Sequence, residues 1–99
     1  MIVKKINQPG RLLSLDETQK MKSGLVVLLP NEEVGEHISE NREEVIVVLS
    51  GRAIIWCQDE GEKEVEENYL VYIKPNIKHN VFNRSQAELK YVYLVSFLQ

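Results

Sequence analysis

The chain has 99 residues, 43% of them hydrophobic and 27% charged, and a net charge of −3. This is one domain's worth of sequence, residues 1–99, apolar enough for a core, which argues against disorder. The acidic balance argues against a nucleic-acid partner, the absence of any apolar run near ~18 residues against a membrane span, and the single cysteine against an internal disulfide.

The opening MIVKKINQPGR is too short and too interrupted for a signal peptide, so a cytoplasmic address is expected. Ser14-Leu15-Asp16-Glu17 matches a capping box, with Ser at the cap and Glu three residues on. Residues Leu15 to about Met21 therefore form either a turn or two of helix or a loop. The rest of the chain reads as short strands between polar turns. Leu25–Leu29 is an apolar run ended by Pro30-Asn31, and Val45–Leu49 is another, ended by Ser50-Gly51. Ala53–Cys57 follows at once. GEKEVEE alternates weakly and predicts an exposed edge strand. Tyr69–Ile73 is stopped by Lys74-Pro75-Asn76, His79–Phe82 is short, and Lys90–Leu98 closes the chain. Such runs, rich in Val, Ile and Tyr and bounded by Gly, Pro, Asn and Ser, are strands. Several of them in about 100 residues predict an all-β sandwich or small barrel.

Val45–Leu49 and Ala53–Cys57 are apolar on both alternating faces. One face of each can fill a barrel, while the other, including Ile54 and Trp56, needs a cover from a second layer or a partner copy. Cys57 shares the face of Ala53 and Ile55. If that face points inward, the thiol lies in the barrel as a small hydrophobe and Trp56 points out. Tyr91 and Tyr93 share a face with Leu89, Val95 and Phe97, where their hydroxyl groups need partners.

The stretch GEHISENREE, residues 35–44, concentrates the polar chemistry. His37 and Ser39 are two apart and point the same way on a strand. If Glu40–Glu43 form a hairpin loop, Ser39 sits opposite Glu44 and His37 opposite Ile46, with Glu44 on the diagonal. Diagonal neighbours lie roughly 7–8 Å apart, so imidazole and carboxylate converge. Glu43 alternates to the other face. Taken singly, His37, His79 and Glu44 are ordinary surface residues. The chain has no Gly-rich phosphate loop, no serine nucleophile elbow and no paired cysteines. Its only aspartates, Asp16 and Asp59, lie in polar turns, so a Ser–His–Asp arrangement is unsupported.

At these positions the chain resembles the cupins. Their first motif runs Gly, five residues, His-x-His, three or four residues, Glu, six residues, Gly. Here Asn31 is followed after five residues by His37-Ile38-Ser39, after four more by Glu44 and after six more by Gly51. The second motif runs Gly, five residues, Pro-x-Gly, two residues, His, three residues, Asn. Here Asn68 is followed after five residues by Lys74-Pro75-Asn76, after two more by His79 and after three more by Asn83. The motifs span 31–51 and 68–83. Asn31, Asn68 and Asn76 replace motif glycines. Asparagine tolerates positive φ best among residues with a side chain, so the turns survive. Ser39 replaces the second histidine of the first motif, and a neutral hydroxyl is a poor ligand.

The resemblance implies a single-domain cupin double-stranded β-helix, a jelly-roll barrel, and a homodimer. It implies one divalent transition metal (Fe, Mn, Zn or Ni) held by His37, Glu44 and His79. Two imidazoles and a carboxylate remain a working set, with coordination positions open. Ser39, Tyr91 and Tyr93 would line the pocket, with Cys57 more distant. The first functional reading is a mononuclear metalloenzyme acting on a small oxygenated substrate, dioxygenase- or isomerase-like. The second is a non-catalytic binder of a sugar or acid, its metal structural or absent.

Overall fold

The β-branched and aromatic runs suit a pleated surface with one face buried. In the computed structural model, which describes residues 1–98, they form nine strands: β1 (Gly10–Leu13), β2 (Met21–Leu28), β3 (His37–Ile38), β4 (Arg42–Ser50), β5 (Arg52–Cys57), β6 (Gly61–Glu66), β7 (Leu70–Ile73), β8 (Lys78–Phe82) and β9 (Leu89–Phe97). They build two antiparallel sheets, one ordered β1-β2-β9-β4-β7 and the other β3-β8-β5-β6. The fold is the expected all-β jelly-roll barrel. GEKEVEE supplies β6, an edge strand as its weak alternation predicts. No helix among the described residues is long and apolar enough to cross a membrane.

Ahead of the Leu25 run, tertiary contacts decide the local structure. Gly10–Leu13 carries no pattern of its own and becomes a strand by pairing with β2, Gly10 opposite Leu25. The Ser14–Glu17 box makes its hydrogen bonds, since the Ser14 N–H donates to Glu17 Oε1 at 3.1 Å and the Glu17 and Thr18 N–H groups return to the Ser14 carbonyl. The turn does not grow into a helix, because β2 starts at Met21 and its ladder with β9 takes the chain from there.

Register decides which faces meet. Leu28, Ile46, Val48, Ala53, Ile55, Ile73, Val81, Leu89 and Tyr91 form one buried cluster between the sheets. Burying each of the larger side chains stabilises the fold by roughly 1.5–3 kcal/mol. Cys57 packs against this cluster, so its face is the inner one and Trp56 lies outside, half-buried. Part of the cover for the outer apolar face comes from the chain itself. Ile6 and Pro9 share a groove with Leu25, Val27 and Leu49.

The turns explain the altered motif positions. Asn31, Asn68 and Asn76 have φ of 70°, 73° and 64°, the left-handed conformation that the motif glycines would adopt. Gly51 is retained for two reasons. Its φ is 84°, and a Cβ there would stand 2.4 Å from the Glu88 carbonyl oxygen. Asn83, fully buried, donates from Nδ2 to the Leu28 and Ala87 carbonyls at 2.9 and 2.8 Å. Its Oδ1 accepts from the Ser85 N–H and hydroxyl. The last residue of the second motif thus ties the β8–β9 loop to the end of β2.

Asn68→Gly should leave the urea midpoint nearly unchanged, whereas Asn68→Ala should cost about 1 kcal/mol by forcing Cβ into the left-handed region. Gly51→Ala should cost more than either, because backbone strain and a backbone clash add. Asn83→Ala should cost about 3 kcal/mol, as it strands two buried carbonyls and the Ser85 donors, and urea unfolding reads each value.

Candidate metal centre

β3 and β8 pair with His37 directly opposite His79, and β8 pairs with β5 with His79 opposite Cys57. Opposite partners point to the same face, so the two imidazoles stand side by side on the inner surface of the smaller sheet. Their ring centroids are 4.1 Å apart, with the planes 62° from parallel. Glu44 comes from the other sheet, where β4 lies between β7 and β9 and Glu44 pairs with Ile73 and Val95. The hairpin that the spacing suggested does not form. Between Ser39 and Arg42 the chain leaves one sheet for the other, so Ser39 is not opposite Glu44 and His37 is not opposite Ile46. Convergence comes from the facing of two sheets, and Glu43 turns outward to accept a hydrogen bond from the Tyr72 hydroxyl at 2.7 Å.

One donor atom from each of His37, Glu44 and His79 lies within 4.8 Å of the other two. Metal bonds of ~2.1 Å place right-angled donors ~3 Å apart and opposite ones ~4.2 Å apart. The His79 Nε2 to Glu44 Oε1 separation of 3.1 Å matches the first case. His37 is exposed on a two-residue strand and has room to adjust. His79 is 1% exposed and Glu44 9%.

Both rings are oriented in the same way. His37 Nδ1 lies 2.9 Å from the Gly35 carbonyl, and His79 Nδ1 lies 2.9 Å from the Ile77 carbonyl. A carbonyl only accepts, so each Nδ1 carries the proton and each Nε2 presents its lone pair when the ring is neutral. For His79 that lone pair faces the Glu44 carboxylate, another acceptor. Two acceptors at this distance require a cation between them, either a proton or a metal ion. Burial opposes the charged imidazolium, but the bonds to Glu44 and to the Ile77 carbonyl outweigh it and raise the His79 pKa above its ordinary value. The donor set therefore fits a divalent transition ion, which would replace that proton.

A cavity of 270 Å³ opens over the three residues, walled by Val26, Val34, Val81 and Val95. Ser39, 5% exposed, lines it, as do Tyr91 and Tyr93. Burial above all, then the charges of Glu44 and Tyr93, push the Tyr91 phenol well above its ordinary pKa, so it is a neutral donor. Gly24 makes room for Tyr93, since a Cβ there would meet the Tyr93 ring at 2.7 Å. Cys57 does not line this cavity. It borders a neighbouring cleft of 580 Å³ between β6 and β7, and burial, then Asp59 and Glu60, raise its thiol pKa. The sequence reading missed Lys22 and Arg42, which both line the cavity. Arg42 was legible from parity, two residues before Glu44. Lys22 was not, because Lys22-Ser23-Gly24 separates Met21 from the apolar run that marks β2.

The Cupin domain family model, Cupin_2, matches residues 24–96. No curated protein sequence matches the chain. Solved structures share the fold at low identity. A predicted oxalate decarboxylase from Thermotoga maritima superposes with a TM-score of 0.83 at 19% identity, over 89% of this chain and 77% of that one. The Cupin_2 domain of an XRE family transcriptional regulator from Enterobacter cloacae superposes at 0.80 with 21% identity, over 91% and 95%. A cupin-superfamily sugar phosphate isomerase from Silicibacter pomeroyi does so at 0.72 with 16% identity, over 87% and 57%. Sheet order, paired motifs and the match over most of its length agree: the chain belongs to the cupin domain family.

Proposed function

We propose that the chain is a metal-binding cupin, acting as a mononuclear metalloenzyme on a small oxygenated substrate in a dioxygenase- or isomerase-like reaction. His37, Glu44 and His79 are the ligands of one divalent transition metal, Fe, Mn, Zn or Ni. The observation that carries this reading is the pair of imidazoles locked by Nδ1–H bonds to carbonyls, with His79 Nε2 aimed at a carboxylate that cannot donate to it. A bound ion would supply Lewis acidity and, if it is Fe or Mn, redox chemistry. The chain's own residues then orient and enclose the substrate. Ser39 and Tyr93 offer hydroxyl groups beside the ligands, Tyr91 donates from a neutral phenol, and the valine walls exclude water. The reading includes a single domain over residues 1–99, a homodimer covering the half-buried Ile54 and Trp56, and a cytoplasmic address.

Ser39 favours a second reading. A buried hydroxyl where the first motif carries a histidine weakens the site, and among the described residues the cavity holds no carboxylate besides Glu44 to serve as a separate general base. The chain would then bind a sugar or acid without turning it over, with its metal structural or absent.

Elemental analysis of protein purified without added metal decides between them. The first reading expects near-stoichiometric transition metal that is lost in His37→Ala and His79→Ala while circular dichroism stays unchanged. Folded protein that takes up none of Fe, Mn, Zn or Ni leaves only the second. Glu44→Gln should abolish uptake yet keep metal-free stability within about 1 kcal/mol, because the amide can donate to His79 Nε2. Ser39→His should slow metal loss to a chelator by about tenfold or more, as a further imidazole joins the set.

A further inference from the structure

Lys22 and Arg42 reach the cavity through the register of the larger sheet. Lys22 pairs with Val95, and Val95 pairs with Glu44, so all three point inward in one row. Arg42 lies two residues before Glu44 on the same strand and shares its face. Both cations line the cavity that holds His37, Ser39, Glu44 and His79. They flank Phe97 near its mouth, with Lys22 Nζ 5.7 Å and Arg42 Cζ 5.5 Å from the ring centroid.

Among the described residues, neither Lys22 nor Arg42 makes an ion pair, whereas Lys4, Arg52, Lys74 and Arg84 each meet a carboxylate within 3.0 Å. Arg42 Nε is buried with no hydrogen-bond partner, and no other buried side-chain nitrogen or oxygen among the described residues stands so. The face of Phe97 attracts a cation but accepts no in-plane N–H bond. Leaving a charged donor buried and unpaired is costly, and such a group calls for a partner. Among the described residues Glu44 is the one carboxylate lining the cavity, and the proposed function commits it to the metal. Two cations and a metal site against one acid leave the cavity short of negative charge, in a chain whose net charge is −3.

We propose that Lys22 and Arg42 form an anion seat at the mouth of the cavity, and that the ligand is a small carboxylic acid whose carboxylate docks there with its oxygenated carbon toward His37, Glu44 and His79. The guanidinium fork matches a planar carboxylate, and Lys22 adds a point charge from the neighbouring side. The volume of 270 Å³ suits a molecule of a few carbon atoms. Tyr91 and Tyr93, deeper on the same face, are donors for its hydroxyl or keto oxygen. The second half of this placement rests on the metal reading, whereas the seat itself does not.

The test uses the full chain, both metal-loaded and chelated, with glycolate, its uncharged isostere glycolamide, and inorganic phosphate as probes. Calorimetry reads affinity, and nuclear magnetic resonance follows the Arg42 Nε–H signal. Glycolate should bind at least about tenfold tighter than glycolamide or phosphate and should shift the Arg42 Nε–H resonance. Arg42→Gln and Lys22→Gln should each weaken glycolate by about tenfold, with metal content unchanged and glycolamide unaffected. Arg42→Lys, which keeps the charge and loses the fork, should fall between and covers the case in which Arg42→Gln does not fold. Equal binding of glycolate and glycolamide, tighter binding of phosphate, or an unmoved Arg42 signal overturns the seat, whatever the metal content. Glycolate binding through Arg42 in protein that takes up no metal upholds the seat and removes only the metal reading.

Discussion

The switch of the chain from one sheet to the other between Ser39 and Arg42 sets His37 and Glu44 facing each other across the cavity. Before it, His37 belongs to the sheet of β8; after it, Glu44 belongs to the facing sheet. Packed sheets lie ~10 Å apart, a span that histidine and glutamate side chains reaching from facing sheets close between them. The crossing is held by Asn76, whose N–H donates to the Ser39 carbonyl and whose Oδ1 accepts from the Asn41 N–H. Asn41 and Asn76 both take positive φ there. An asparagine in place of a motif glycine therefore keeps the turn and adds a side-chain bond that glycine lacks.

The barrel divides its interior between two tasks. Around Leu28, Val48, Ala53 and Leu89 it is a close-packed apolar core. Toward the open end it buries His79, Glu44 and Ser39 and turns Arg42 and Lys22 inward. Burying charged groups costs stability unless each finds a partner. The apolar half and the turn network around Asn83 supply the stability that such an end needs. This is the usual distribution for a site built on a rigid scaffold, where the polar groups that recognise a ligand are the ones the fold leaves incompletely satisfied.

The histidines, the acid and their order were legible from spacing and resemblance, as were most strands, the β6 edge and the positive φ at Asn31, Asn68 and Asn76. Parity grouped Cys57 with Ala53 and Ile55, and Tyr91 with Tyr93, and the packing of the sheets turned both faces inward. The route by which His37 meets Glu44 was not legible. A polar stretch such as Glu40–Glu43 reads equally well as a hairpin loop and as a crossing between sheets, because local sequence records that the chain turns and not which edge it pairs with next. β1 and the first half of β2 were hidden for a related reason, since a free edge made them strands. Lys22 entered the cavity with them, turned inward by its register with Val95.

Alone, the sequence determined the strand-forming runs, the left-handed turns and the residue types of the His37, Glu44 and His79 cluster, because these depend on side-chain chemistry and on backbone preferences within a few residues. Tertiary structure decided which strands are neighbours, which cations face the cavity and which hydrogen bonds orient the imidazoles. Those depend on contacts between residues tens of positions apart, and period-two alternation says that a side chain points to one face without saying what lies across from it.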